Sequence, residues 1–217
     1  MIHPDYAETV THALCNSKLY EARDAGGRGK VYQFPLNDNS QGIVRTYARG
    51  GFIRHLNKST YLMDNRPLRE LKVWCHAFSN EVSVPMPLGV MWKKNGPFYS
   101  GAIATRYVDS MHLQDYLNQA SGSDESFDIL GRVGHAIRIM HNANINHADL
   151  QIRNILVDKS RKVYIIDFDN AEIMEGKSSF FKDPQSDNLA RLQRSFVKNG
   201  FSVPVFNAIW QGYGTLI

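Results

Sequence analysis

The sequence predicts an α+β chain in two parts, a β-rich first part carrying one helix and a mostly helical second part. Three observations predict it. Up to Tyr107, short apolar runs rich in strand-forming residues alternate with turns built from Gly, Asn and Pro. Beyond that point the apolar residues recur at helical spacing. Among these helices lies a single dense cluster of chemistry-bearing side chains, His147, Asp149, Asn154 and Asp167.

Taken in order, residues 18–25 and 30–36 read as strands flanking Gly26-Gly27-Arg28-Gly29. Residues 37–42 form a turn cluster, and 43–47 make the next strand. Residues 68–78 have Leu71, Trp74, Cys75 and Phe78 at helical spacing, which predicts a helix buried along that stripe. Pro85 and Pro87 announce a return to strand over 88–92 and 98–107, with Asn95-Gly96-Pro97 as the turn. Residues 108–110 are the expected connector. A helix over 112–119 is broken by Ser121-Gly122-Ser123, and a longer one over 125–142 carries Phe127, Leu130, Val133, Ile137 and Met140 on one side. Short strands are expected at 155–157 and 163–166, and a last amphipathic helix at 187–198, stopped by Asn199-Gly200. No reading attaches to residues 1–16.

Composition narrows the class. With 217 residues, 43% of them hydrophobic and 21% charged, the chain can bury a core and shows no bias towards disorder. Two cysteines, Cys15 and Cys75, lie too far apart in sequence for a ligand motif and read as reduced thiols. No apolar run approaches the roughly 20 residues that span a bilayer, and the first residues lack the basic-then-apolar pattern of a signal peptide. The expectation is a cytoplasmic protein. Its formal net charge of +4 does not by itself select a partner.

The spacing of the polar cluster selects the chemistry. His147-x-Asp149-x-x-x-x-Asn154 has the layout of a kinase catalytic loop, and Asp167-Phe168 after an apolar run has that of the metal-binding strand end. Phosphoryl transfer needs a carboxylate at the attacking hydroxyl, assigned to Asp149. It also needs an amide and a second carboxylate to hold Mg2+ against the phosphates of ATP, assigned to Asn154 and Asp167. His147 is expected to brace the loop. Asp169 stands where kinases carry glycine, and structural and metal-binding roles are both open to it. Together with the order of elements, the loop predicts a bilobal protein-kinase-like fold, with an N-lobe over residues 1–108 and a compact helical C-lobe over 109–217.

In the N-lobe, Gly27 and Gly29 would let backbone amides approach phosphate, although a hairpin turn uses the same residues. Arg45 occupies the position of the usual phosphate-binding lysine, and Glu70 on the predicted helix is its natural partner. The segment after Arg45 interleaves Arg49, Arg54 and Lys58 with Phe52, Ile53 and Leu56. That mixture suits an anionic, amphiphilic partner such as a membrane-borne acceptor, and makes these three candidate contacts to it. An aromatic-interleaved RNA module is not in the sequence, and no nucleic-acid partner is expected. Too little chain follows Asp169 for an activation segment and peptide-binding subdomain, and no Ala-Pro-Glu occurs, so the acceptor is expected to be a small molecule or head group.

Several stretches resemble one family, the 3-deoxy-D-manno-octulosonic acid (Kdo) kinases of lipopolysaccharide synthesis. They are Gly27-Arg28-Gly29, Arg45-Thr-Tyr47-Ala-Arg49-Gly-Gly51, Asn57-Lys58 with Tyr61, Arg69-Glu70, and Val84-Pro-Met-Pro87. His147-Ala-Asp149-Leu150, Asn154-Ile-Leu156, Ile166-Asp-Phe-Asp169 and Asn188-Leu-Ala-Arg191-Leu-Gln-Arg194-Ser195 complete the likeness. It implies ATP- and magnesium-dependent phosphorylation of a Kdo hydroxyl on a lipid A precursor, by a protein peripheral at the cytoplasmic face of the bacterial inner membrane. It also implies that Arg191 and Arg194 support the site or its anionic substrate. Gln151 and Arg153 depart from the Asn and His expected in that loop and leave the acceptor open. The alternatives are a heptose, a small alcohol or a protein hydroxyl as acceptor, or a non-catalytic module of the same fold.

Overall fold

The computed structural model describes residues 1–24, 30–47, 65–95, 98–120, 124–174 and 183–214. They group into two compact units, Met1–Lys72 with Met86–Tyr107, and Val73–Pro85 with Val108–Ile217. Helices and antiparallel sheets coexist in an α+β chain.

The first unit is built on a five-stranded antiparallel sheet. Its strands are β1 (Glu21–Asp24), β2 (Lys30–Pro35), β3 (Gln41–Tyr47), β4 (Pro87–Asn95) and β5 (Phe98–Arg106), in the order β1-β2-β3-β5-β4. The turn between β2 and β3 is closed by Asp38, whose Oδ1 accepts from Ser40 N–H at 3.1 Å, while Asn39 takes the left-handed backbone at φ 61°. On one face, Val44, Ala102 and Ala104 meet Phe34, Leu36 and Leu88, and helix α1 (Ala7–Cys15) seals this core with Val10, Ala13 and Leu14. Strand side chains alternate between faces, so Arg45 projects to the other side from Val44, between Val31 and Ile103 in the register. Helix α2 (Arg66–Ser79) begins in this unit and ends in the second.

The second unit contains α3 (Leu113–Gln119), α4 (Asp124–Asn142), α5 (Pro184–Lys198) and α6 (Val203–Gly214). Two small antiparallel sheets accompany them. One has the order β6-β8-β9, from β6 (Ser110–His112), β8 (Ile155–Asp158) and β9 (Val163–Ile165). The other pairs β7 (Ile145–His147) with β10 (Ala171–Ile173). The core joins Ile129, Leu130, Val133, Ile137 and Met140 of α4 to Leu189, Leu192 and Phe196 of α5 and Phe206 and Ile209 of α6. Helices α4 and α6 touch backbone to backbone. A Cβ on Gly212 would stand 1.9 Å from the Gly131 carbonyl oxygen, and one on Gly134 would stand 2.1 Å from that of Ile209.

Several expectations shift. Residues 17–19 form a single 3-10 turn, and β1 starts only at Glu21. Helix α5 begins at Pro184 because Asp183 caps it, accepting from Gln185 N–H at 3.1 Å. Its stop is chemical, with Gly200 at φ 87° and Phe201 N–H returning to the Phe196 carbonyl at 3.1 Å. Phe127 lies at the rim of the buried arc of α4 and is 47% exposed, and Phe78, in the last turn of α2, is 45% exposed. Both leave the stripes expected to be buried. Among the described residues no helix is long and apolar enough to cross a membrane.

Two glycines of one helix should respond oppositely to alanine. Gly134→Ala forces α4 from α6 and should cost about 1–3 kcal/mol, lowering Tm by about 2–4 °C per kcal/mol. Gly131→Ala meets nothing within 4 Å of its new Cβ and should gain roughly 0.5–1 kcal/mol from helix propensity. Thermal unfolding of the pair checks this, and equal shifts would contradict the close approach.

Candidate active site

Residues 145–174 assemble around one short sheet edge. Ile155 pairs with Ile165, and one position beyond the ladder Ile166 N–H donates to the Asn154 carbonyl at 2.9 Å. Asn154 therefore faces the residue just before Asp167. The intervening loop is pinned by Leu150 and Ile152, both fully buried, which turn Asp149, Gln151 and Arg153 the other way. Asp149 keeps 41% of its side chain exposed. Asn154 Nδ2 donates to the Asp149 carbonyl at 2.9 Å, which fixes the amide and presents its Oδ1 as an acceptor. One hydrogen bond thus ties the two loop candidates together.

Asp167 stands in the left-handed region at φ 68°, ψ 64°, a costly backbone for a residue with a Cβ. Its neighbours hold it there. The Ile166 carbonyl accepts from His147 Nε2 at 3.0 Å, and Phe168, fully buried, packs against the rings of His147 and Trp74. A carbonyl cannot donate, so His147 carries its proton on Nε2. Burial pushes the imidazole of His147 below the ordinary histidine value of 6.5, so it is neutral. Asp169, two residues after Asp167, is buried.

Helix α5 runs beside this loop and contacts it three times in register. Asn188 Oδ1 accepts from His147 N–H at 2.9 Å, Arg191 Nη1 lies 3.7 Å from Asp149 Oδ1, and Ser195 Oγ accepts from Ile152 N–H at 3.0 Å. Positions 188, 191 and 195 share one helical face. Asn188 is 2% exposed and also receives His141 Nε2 at 3.2 Å, while its Nδ2 donates to Asn146 Oδ1 at 2.8 Å. Burial likewise lowers the His141 pKa. Gln151 Nε2 donates to the second Asp149 oxygen at 3.3 Å, and Arg153 is engaged by Gln114 at 3.1 Å.

In the first unit Glu70 is fully buried on α2, and Arg45 and Tyr47 are among its partners. Arg45 Nη2 donates to its Oε1 and the Tyr47 hydroxyl to its Oε2. The guanidinium of Arg45 also lies over the Tyr47 ring at 5.4 Å, and that of Arg66 at 5.7 Å. Burial first, then the Glu70 charge, raises the Tyr47 pKa, so the phenol stays protonated and donates. Tyr47 is a partner that sequence reasoning did not assign. Asn188 and Ser195 belong to a segment singled out in the sequence, but without the loop contacts they make. Gly27, Gly29, Arg49, Arg54 and Lys58 lie outside the described residues.

The donor set suits one kind of cation. Among the described residues no group of three or more His, Cys, Asp or Glu is arranged to hold a metal ion. Asn154 and Asp167 offer an amide oxygen and a carboxylate, hard ligands that fit Mg2+ shared with phosphate oxygens and water. They do not make a zinc-type cage.

Comparison with known proteins fits this geometry. The description "Lipopolysaccharide kinase (Kdo/WaaP) family" matches residues 17–213. The chain belongs to this family. Among curated proteins, the chain is 33% identical over 208 residues to a 3-deoxy-D-manno-octulosonic acid kinase of Vibrio cholerae, covering 91% of this chain and 83% of that one. It is 34% identical over 179 residues to one of Vibrio parahaemolyticus, covering 80% and 71%. To one of Photobacterium profundum it is 32% identical over 200 residues, covering 87% and 81%.

Two structural outcomes follow. Ser195→Ala leaves Ile152 N–H without an acceptor and should cost about 1–3 kcal/mol. Hydrogen exchange at Ile152 should accelerate, and unchanged exchange would contradict the anchor. The two depressed histidines make stability depend on pH. Unfolding returns both to 6.5, so the unfolded chain binds protons that the fold refuses as pH drops below that value. Stability is therefore full above it and falls as pH descends towards the folded-state values. The denaturant midpoint should be lower at about pH 5.5 than at about pH 7.5, with a shallower drop in His141→Gln. Equal midpoints for the unsubstituted protein would contradict the neutral imidazoles.

Proposed function

We propose that this lipopolysaccharide kinase family member transfers the γ-phosphoryl group of ATP to a hydroxyl of Kdo on a lipid A precursor, in lipopolysaccharide core synthesis. The observation that carries the reading is the hydrogen bond from the Asn154 amide to the Asp149 carbonyl, beside Asp167 in its held left-handed conformation. Named Kdo kinases among the relatives support the acceptor. A compact protein-kinase-like plan, with residues 1–108 as N-lobe and 109–217 as C-lobe, accommodates both.

Asp149 accepts the proton of the acceptor hydroxyl as its oxygen bonds to the γ-phosphorus. The bond from that phosphorus to the β-phosphate oxygen breaks, and ADP leaves with the displaced charge. Asn154 and Asp167 are the residues that would hold Mg2+, whose charge would neutralise that of the phosphates. Arg45 pairs with the nucleotide phosphates, held by Glu70 and Tyr47, and the backbone at Gly27 and Gly29 approaches the same phosphates. Contacts to the anionic, membrane-borne acceptor are assigned to Arg49, Arg54 and Lys58, from their residue types alone. They bring the protein to the cytoplasmic face of the inner membrane as a peripheral partner.

The test is Asp149→Ala, assayed with ATP, magnesium and a Kdo-bearing lipid A precursor, with products identified by mass spectrometry. ATP affinity should be retained, and phosphate transfer should fall by about 10²–10⁴. Unchanged transfer would remove Asp149 from its role. Phosphate found on a protein or a heptose, with none on Kdo, would overturn the acceptor.

A further inference from the structure

We infer that Arg191 is the residue that reads the carboxylate of the sugar acceptor, and so makes the site specific for an acidic sugar. The inference rests on the Kdo-kinase reading above and deepens it. It starts from the register of α5 against the catalytic loop. Asn188 grips the loop at His147 and Ser195 grips it at Ile152. Arg191, between them on the same face, is thereby held opposite Asp149. The side chain is 49% exposed, so its guanidinium is open to a ligand.

Electrostatics gives that placement a purpose. The acceptor hydroxyl has to come within about 2.6–3.2 Å of the Asp149 carboxylate. A sugar acid delivered there brings its own negative charge close to Asp149, to Asp167 and to the nucleotide phosphates. Unless a cation meets that charge, approach is opposed. Among the described residues, Arg191 is the cation in ion-pair range of Asp149. The neighbouring loop cation, Arg153, is engaged by Gln114.

The contact geometry leaves Arg191 able to do this. At 3.7 Å it is an ion pair with Asp149 and not a hydrogen bond. Asp149 is its one polar contact among the described residues. A guanidinium carries five N–H donors in a planar fork that matches a carboxylate edge to edge. It can keep its electrostatic hold on Asp149 while donating two parallel hydrogen bonds to the substrate. A neutral sugar offers no such partner, and a lysine would supply the charge without the fork.

The experiment compares two acceptors on three proteins. The acceptors are a Kdo-bearing lipid A precursor and the same molecule with the Kdo carboxylate converted to a carboxamide. The proteins are the unsubstituted chain, Arg191→Met and Arg191→Lys. The unsubstituted chain should prefer the acid by about 100-fold in kcat/KM. Arg191→Met should lose that preference, its fall on the acid exceeding its fall on the amide by about 100-fold, and Arg191→Lys should keep part of it. A role confined to orienting Asp149 or to the transferred phosphate would lower both acceptors together and preserve the preference, which would overturn the assignment. Turnover of neither acceptor by the unsubstituted chain would overturn the acceptor reading itself, and this assignment with it.

Discussion

Two hydrogen bonds on a single peptide residue set the candidate site. Ile166 gives its N–H to the Asn154 carbonyl at 2.9 Å and receives His147 Nε2 on its own carbonyl at 3.0 Å. The first continues the pairing of β8 with β9 by one step beyond the strands. The second requires a proton on His147 Nε2, and burial lowers the pKa of that imidazole. Asp167 follows at once and is forced into a left-handed backbone, with buried Phe168 blocking relaxation on the other side. A conformation that costs about 1–3 kcal/mol persists only when its surroundings over-determine it. Here they set the backbone of Asp167 one residue past the partner of Asn154, at one end of a hairpin.

The first unit solves a different electrostatic problem. A fully buried carboxylate at Glu70 is costly unless both oxygens are satisfied, and Arg45 and Tyr47 satisfy one each. Such a pair is weak evidence for stability. Its value is orientation, because a guanidinium held by a fixed carboxylate and lying over an aromatic ring has few conformations left. Arginine fits this better than lysine would, since its charge does not titrate and its planar head can both stack and donate.

Local signals were legible in the sequence and long-range ones were not. The turn-bounded strands of the first unit and helices α2, α3, α4 and α5 follow from periodicity and punctuation, with end shifts such as the start of α5 at Pro184. The loop residues could be named because their chemistry fixes their spacing. Helix α1 escaped because it is short and carries β-branched Thr9, Val10 and Thr11, so tertiary burial of Val10, Ala13 and Leu14 decides it. Helix α6 escaped because Pro204 and two glycines look like loop, whereas Gly212 is what lets it touch α4. Strands β6, β7 and β10 have three residues each, too few for any period to show. The grips of Asn188 on His147 and of Ser195 on Ile152 span 41 and 43 residues, and only the fold brings them together.

The central claim is that Asn154 and Asp167 converge to hold a divalent cation on the nucleotide. Electron paramagnetic resonance of Mn2+ titrated with ATP into the protein tests it without reference to any acceptor. The unsubstituted chain should capture the manganese–nucleotide complex, and Asp167→Ala should weaken that capture by at least about tenfold, with the fold intact by thermal unfolding. Equal capture by the folded variant would contradict the claim.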